Sequence, residues 1–549
     1  MKVAIGLLIG LIVLVAVVFT LPFLIDLNKY QDQYKPLIEE ALNRKVLLQD
    51  IRLTIWPRIG ASVSGFTVLD DPAFGTDPFA SLGSLDVGVK LMPLLGGQVE
   101  VEEITLRDPV ITVIKNKNGV LNVSTIGRTG VATPQKPSRA PVPSAEGPLK
   151  ILAMLAVDQV SIEGGKLTYR DLSAATPTEY VLQDLELLLQ SVELGETPTL
   201  HFRTLVQPMN IPVRLDGAFG PLKESADLDA IRFKLAIGKI DAVIVGKTSG
   251  RNVNLNVSAP VINTADLPIA LPLQKPVEVH NLEIAADVQG QEVLLRNASF
   301  QVFGGQVAAQ GSLTSGSNMP PFVSKLKVQG IQLGPALNAL ATTKASMSGT
   351  ADADISLQGQ GFAMPDLTKH LKGTGRISAR DGRIEQIGLL AEALTILKVA
   401  GVQLDHPKTT VFSAIQTDMA VEEGTLQLRN LLMDSHDFQA TGGGTVGFDQ
   451  TLNLLVNLNL SQDLSGKVAG ASTVARVAMK DGRLRLPLTI TGTTQAPSYG
   501  IDLKALTGRV QEQAKKKAED TVKGLLKGTV KPEDLKQQGR DFLKELSIP

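Results

Sequence analysis

Cysteine is absent from this chain of 549 residues. That removes disulfides, zinc–thiolate sites and thiol nucleophiles together. Aromatic residues make up only 4%, with Trp56 the sole tryptophan, which leaves little for stacking on bases or sugars. No sign of charge dominates: 54 Lys and Arg against 55 Asp and Glu set up no global field toward nucleic acid or an acidic ligand. The five histidines, His201, His280, His370, His406 and His436, stand at no metal-ligand spacing. No Gly-x-Ser-x-Gly elbow occurs. Gly246-Lys247-Thr248 imitates the end of a phosphate loop, but Asp241 stands where its first glycine is required, and a carboxylate there repels phosphate. These absences lead to the expectation of a protein without catalytic residues, metal or cofactor.

What the chain does have is aliphatic side chains: 43% of it is hydrophobic and only 20% charged. Val3 to Ile25 is a run without charge, bounded by Lys2 and Asp26. At 1.5 Å per residue it reaches about 34 Å, enough for a hydrocarbon core of about 30 Å. A cleaved signal peptide needs a shorter apolar stretch and a small-x-small exit, and Phe19-Thr20-Leu21-Pro22-Phe23 offers neither. Residues 1–27 therefore read as a transmembrane anchor, with Val3, Ile5, Leu8, Ile12, Val15, Phe19, Phe23 and Ile25 as its anchoring residues. The short basic end is expected in the cytoplasm and the long remainder outside it, giving a single-pass inner-membrane protein with a periplasmic body.

A short helix is expected over Gln31 to Arg44, and strands from Val46 to about Ile126, so that 28–126 forms an N-terminal helix and β region. Residues 127–148 hold Pro134, Pro137, Pro141, Pro143 and Pro148 and read as a linker. Across 149–501 the dominant signal has period two. Leu452, Leu454, Val456, Leu458 and Leu460 alternate with mostly polar neighbours, as do Leu484, Leu486, Leu488 and Ile490. Similar alternation runs through 231–237, 253–257 and 351–357. Alternate side chains of a strand go to opposite faces, so each segment carries one apolar and one polar face. Gly and Asn/Asp punctuation between segments predicts an antiparallel meander. The fold class expected is mainly β: an elongated, curved antiparallel sheet whose apolar side forms a groove, the nine residues just named being candidates for its lining.

Two helical signals interrupt the strands. Ile387 to Val402 is strongly apolar and is expected to pack over the sheet. In the tail, 502–549, Leu503, Leu506, Val510, Ala514, Ala518, Val522 and Leu526 step by three or four along one face, and Lys515, Lys516 and Lys517 offer charge for a membrane or a partner. There is also an internal echo. Leu295 to Gly311 aligns without gaps on Leu428 to Gly444, each reading as strand, turn, strand.

Several motifs then occur in one order. Asn43-Arg44-Lys45-Val46, Trp56-Pro57, Asp71-Pro72-Ala73-Phe74-Gly75 and Leu91-Met92-Pro93-Leu94-Leu95-Gly96-Gly97 come first. Ile104-Thr105-Leu106-Arg107-Asp108-Pro109, Asn118-Gly119-Val120-Leu121-Asn122 and the stretch Val160 to Asp171 follow. Phe303-Gly304-Gly305-Gln306-Val307, Gly330-Ile331-Gln332-Leu333, Gly349, Leu371 to Gly375 and Leu486 to Thr493 complete the series. In this order the chain resembles the AsmA family over nearly its whole length, with 290–501 similar to that family's C-terminal region. The resemblance implies a β-sheet trough with an apolar interior, similar to bridge-like lipid carriers. It also implies a role in phospholipid movement between inner and outer membrane and in outer-membrane biogenesis. The family brings no catalytic residues. The expected partners are phospholipid, the inner membrane and an outer-membrane or envelope protein. Two other readings stay open: an assembly or chaperone-like factor for outer-membrane proteins, and a structural envelope tether.

Overall fold

A computed structural model describes residues 27–55, 58–126, 157–173, 177–225, 227–267, 271, 273–317, 319–340, 346–398, 402–471 and 479–501. The anchor, the linker, Trp56-Pro57 and the C-terminal tail lie outside these. Among the described residues no helix is long and apolar enough to cross a membrane. The structure is mainly β and divides into two units, one comprising residues 1–270 and 281–290 and the other 271–280 and 291–549.

In the first unit a turn at Leu27–Tyr30 leads into helix α1 (Gln31–Leu42), two residues shorter than the sequence predicts because Asn43 adopts a left-handed conformation and ends it. Strands β1 (Val46–Leu47), β2 (Asp50–Thr54), β3 (Gly60–Leu69) and β4 (Pro78–Val89) follow, then the one-turn helix α2 (Leu91–Leu95). Next come β5 (Val101–Arg107), β6 (Val110–Lys115), β7 (Val157–Asp171), β8 (Thr178–Val192) and β9 (Thr199–Gln207). β10 (Ile211–Gly220), β11 (Ala230–Ile237), β12 (Ile240–Ser249) and β13 (Asn252–Asn263) extend the sheet as a meander.

The sheet is mixed, a correction to the antiparallel arrangement expected. β7 runs parallel to β5 and to β6. A tight hairpin forces antiparallel pairing. The long connection from Lys115 to Val157 does not, and its length permits the crossover that a parallel pair needs. β7 spans both partners because β5 and β6 are one path broken at Asp108-Pro109, and β7 breaks beside it at Gly164-Gly165. Asp108 N donates to Glu163 O at 2.8 Å and Lys166 N to Pro109 O at 2.7 Å. Asp108 and Gly164 both have positive φ, and a Cβ on Gly164 would meet Asp108 Oδ1 at 2.7 Å. Two motifs far apart in sequence thus form one matched bend.

Two further motifs converge with Asp70 at a buried polar node. Asn122 has no exposed surface. Its Nδ2 donates to Asp70 Oδ2 at 2.6 Å and to Thr112 O at 2.9 Å, and its Oδ1 accepts from Ile114 N at 3.0 Å. Arg44 donates to Asn122 O at 3.2 Å and pairs with Asp70 at 3.9 Å. Burying charge is tolerated only where it is paired and hydrogen-bonded, as here.

In the second unit β14 (Glu278–Gln289) straddles the division, and β15 (Glu292–Val302), β16 (Gly305–Thr314) and β17 (Pro321–Gln332) follow in hairpin succession. Helix α3 (Leu333–Leu340), β18 (Met347–Gln360), α4 (Met364–His370), β19 (Lys372–Glu385) and α5 (Leu389–Leu397) come next. Then come β20 (Thr409–Glu422), β21 (Thr425–Asp434), β22 (Phe438–Gly447), β23 (Thr451–Leu460), α6 (Gln462–Ala471), the short β24 (Met479–Lys480), β25 (Arg483–Thr493) and β26 (Pro497–Ile501). The described pairings in this unit are all antiparallel.

The sequence echo is real structure. Leu295 pairs with Gly311 across β15 and β16, and Leu428 pairs with Gly444 across β21 and β22. Each hairpin shifts register immediately afterwards, at Arg296-Asn297 and at Arg429-Asn430. The echoed Leu-Arg-Asn therefore marks the same bulge twice.

Candidate functional site

Register places apolar side chains of the second unit in rows on one face of the sheet. Ala298, Ala309, Leu326, Ile355, Gly375, Met419, Leu428 and Gly444 are successive cross-strand partners. A second row passes through Leu313, Phe322 and Gly359, and a third through Phe300, Val307, Val328, Ala353 and Ile377. Partners directly opposite share a face, so these rows make a continuous apolar surface. Large residues lean over glycines within it. A Cβ on Gly359 would lie 2.8 Å from Phe322 Cζ, and one on Gly375 would lie 3.1 Å from Ile355 Cγ1. Phe362, after β18, stacks on Phe322 with ring centroids 5.1 Å apart.

The opposite face is charged. Lys327, Asp354, Arg376, Asp418 and Arg429 are partners in one row across five strands, alternating in sign. Arg376 meets Asp418 at 2.9 Å, and Lys372 meets Glu422 at 2.7 Å. A slip by one residue would carry this row to the apolar side, so the two faces together pin the register.

Burial along the apolar face is uneven. Over β15 to β18, Leu295, Leu313, Phe322, Leu326, Ile355 and Leu357 are half-buried. Toward one end of β20 to β25 the face is closed, while Leu426, Leu428, Leu452 and Leu454 at the other end stay half-buried. At the closed end α5 and α6 supply Leu390, Ala393, Leu394 and Val468 to a cluster with Phe412, Phe438, Leu458 and Leu486. The start of α5 is pinned by Leu389 N donating to Thr410 Oγ1 at 3.0 Å, and α6 is pinned by Leu484 N donating to the buried Ser465 Oγ at 2.9 Å.

The predicted lining residues fall mostly within this closed part. Val456, Leu458, Leu460, Leu484, Leu486, Leu488 and Ile490 are buried core residues, Leu458 and Leu488 without any exposed surface. Only Leu452 and Leu454 stay half-buried, at the cluster's margin. Period two reports a face buried on one side and is indifferent to what buries it, a helix or a guest. The half-buried positions carry the same signal: 351–357 shows it, and so does Phe322-x-Ser324-x-Leu326-x-Val328 with Lys325 and Lys327 between. The anchor positions Val3 to Ile25 and the docking positions Leu503, Leu506, Val510, Lys515, Lys516, Lys517, Val522 and Leu526 lie outside the described residues.

The first unit repeats the pattern. Phe202, Leu215, Leu235 and Ala242 are cross-strand partners in one row, and Leu200, Gly217, Phe233, Ile244 and Val257 in the next. Gly246-Lys247-Thr248 lies inside β12, without a loop to cradle phosphate. Tertiary structure does bring two histidines together that spacing keeps apart. His406 Nε2 and His436 Nδ1 approach the two oxygens of Asp437 at 3.1 and 2.9 Å.

The described residues thus form a mainly β protein whose sheet carries one apolar and one charged face. The AsmA family model matches residues 1–257 and 274–431, and the chain belongs to the AsmA family. Neither a curated protein nor a solved structure matches it.

Proposed function

We propose that this protein binds lipid acyl chains along the apolar sheet faces and carries phospholipid between the inner and outer membranes in support of outer-membrane biogenesis. It acts from the periplasm, held by a single-pass inner-membrane anchor with a cytoplasmic N-terminus, and without catalysis. The observation that carries this reading is the half-buried row Leu326–Ile355 with its neighbours Leu313, Phe322 and Leu357, matched to partners that are apolar or glycine except for Ser324 opposite Leu357. Family membership and a large sheet support the broader envelope role.

The energetics suit a carrier. Each CH2 withdrawn from water is worth about 0.8 kcal/mol. Relative to a bilayer the gain is small, because both environments are hydrocarbon, so lipid enters and leaves without a deep trap. The closed cluster under α5 and α6 has no free surface to offer, which leaves the half-buried rows, most continuous over β15 to β18, as the binding stretch of the second unit.

The test is site-specific photocrosslinking in the full chain at Leu326, Ile355 and Leu357, with Leu458 as the buried control. Phospholipid adducts at the first three and none at Leu458 support the reading. Polypeptide adducts in their place would indicate the assembly factor, and no adducts at all the tether.

A further inference from the structure

The three most exposed large apolar side chains among the described residues are Met92, Leu95 and Val99, at 77%, 75% and 72%. They share one connection, between β4 and β5, with the half-exposed Leu91. From Leu91 to Val99 no residue is charged. Water-facing turns are ordinarily built from Asn, Asp, Ser and Gly, and an apolar patch of this kind marks a contact surface.

Much of the turn in this tip is hydrogen-bonded within itself. Gly96 N and Gln98 N donate to Pro93 O, both at 2.9 Å, and Gly97 N donates to Leu94 O at 3.0 Å. Lys90 N donates to Glu100 O at 2.9 Å, and Pro93 has no N–H to satisfy. Internal satisfaction of this sort is what a lipid environment demands of a backbone. Charge begins at the base, where Lys90 pairs with Asp158 at 3.1 Å and Glu193 at 3.4 Å, fixing the tip to β7 and to the end of β8.

The tip lies at the Gly60 end of β3, and the chain enters near the middle of that strand. Asn28 holds the start of β2, its Nδ2 donating to Asp50 Oδ1 at 2.6 Å and its Oδ1 accepting from Ile51 N at 2.9 Å. From there α1 leads to Lys45, whose carbonyl accepts from Leu69 N, at the far end of β3 from Gly60. Gly60 pairs with Gly88, and the tip emerges just beyond Gly88. Asp50 and Ile51 pair with Ser64 and Val63, between the two ends of β3, and from there α1 runs away from the tip. Directly before Leu27 stands the uncharged run Val3–Ile25, and Tyr30 is half exposed beside it, as interfacial tyrosines are.

We infer that Leu91–Val99 inserts into the lipid interface of the same membrane that holds the anchor. It is a second, rigid contact that fixes the first unit's orientation on the bilayer. The inference rests on the anchor reading of Val3–Ile25.

The absence of native cysteine makes the test direct. Full-length Met92→Cys, Leu95→Cys and, as control, Ser249→Cys are labelled with a polarity-sensitive fluorophore. Each is reconstituted in vesicles of phosphatidylethanolamine and phosphatidylglycerol, with or without lipid carrying a nitroxide near the glycerol. Probes at 92 and 95 are expected to shift to the blue and to lose most of their emission to the nitroxide lipid, while the probe at 249 does neither. Adding Leu95→Glu to Met92→Cys is expected to restore the emission. Vesicle-bound protein with unquenched probes at 92 and 95 overturns the insertion and leaves the anchor standing. Protein that fails to float with vesicles overturns the anchor, and this inference with it.

Discussion

Leu357 on β18 stands opposite Gly373 on β19, where an added Cβ would come within 2.5 Å of the leucine Cδ2. The glycine is what lets the leucine lie across the sheet, and the same Cβ would meet Ser356 O at 2.6 Å. Gly373→Val is therefore expected to cost about 1–3 kcal/mol through overpacking. The measurement is the urea midpoint, and an unchanged midpoint would mean the pair has slack.

Capture of lipid should depend on the chemistry of this face more than on its shape. Leu357→Asp and Ile355→Asp place charge where an acyl chain is proposed to lie, on side chains half-exposed enough to leave the fold intact. Each is expected to abolish most phospholipid crosslinking from a probe at Leu326, with the circular dichroism spectrum unchanged. Undiminished crosslinking would argue against the face as the lipid site.

Closed and open parts of the same face should respond differently to truncation. Leu458→Ala empties part of a sealed cluster and is expected to cost about 2–5 kcal/mol. Leu326→Ala removes a half-exposed side chain and should cost about 1 kcal/mol or less. Equal losses, measured by denaturant unfolding, would mean that Leu326 is as enclosed as Leu458.

The polar node in the first unit allows a sharper test. Asn122→Ala leaves Asp70 and two backbone groups without their partner and is expected to cost about 3 kcal/mol. Asn122→Asp sets a second carboxylate beside Asp70, so its stability is expected to recover partly as pH is lowered. A pH-independent deficit in urea titrations would show that repulsion is not the cause.

Asp418 on the charged face is one of several carboxylates that contribute to the acid limb of stability. A hydrogen bond from Asn430 Nδ2 at 3.1 Å, and then Arg376, hold its carboxyl below the ordinary range. A depressed folded-state value means the contribution is present above the ordinary carboxylate pKa of about 3.9 and is lost as pH falls through the lower folded value. Asp418→Asn is expected to flatten the pH dependence below about pH 4, and added salt to weaken the wild-type effect. A profile identical to wild type would remove Asp418 from the ladder's working members.

Much of this was legible in the sequence because it depends on local chemistry. Period two over 351–357 and 451–460 becomes strands with one apolar face, since alternation is a property of the extended backbone itself. The apolar stretch after Ile387 becomes a helix over the sheet, α5, and the echo of Leu295–Gly311 becomes a repeated bulge. The parallel path of β7 was not legible, because strand direction after a long connection depends on where the chain returns. Nor were the matched breaks at Asp108 and Gly164 or the meeting of Arg44, Asp70 and Asn122, whose partners lie far apart along the chain.

By itself the amino-acid sequence determined that this protein is built of strands with one oily and one polar face, because each residue's side is set by its parity along an extended chain. Only the tertiary structure decided which oily positions are sealed and which stay accessible. Leu458 and Leu326 carry the same local signal, and whether a leucine meets α5 and α6 or an open surface depends on how elements from elsewhere in the chain fold back over it.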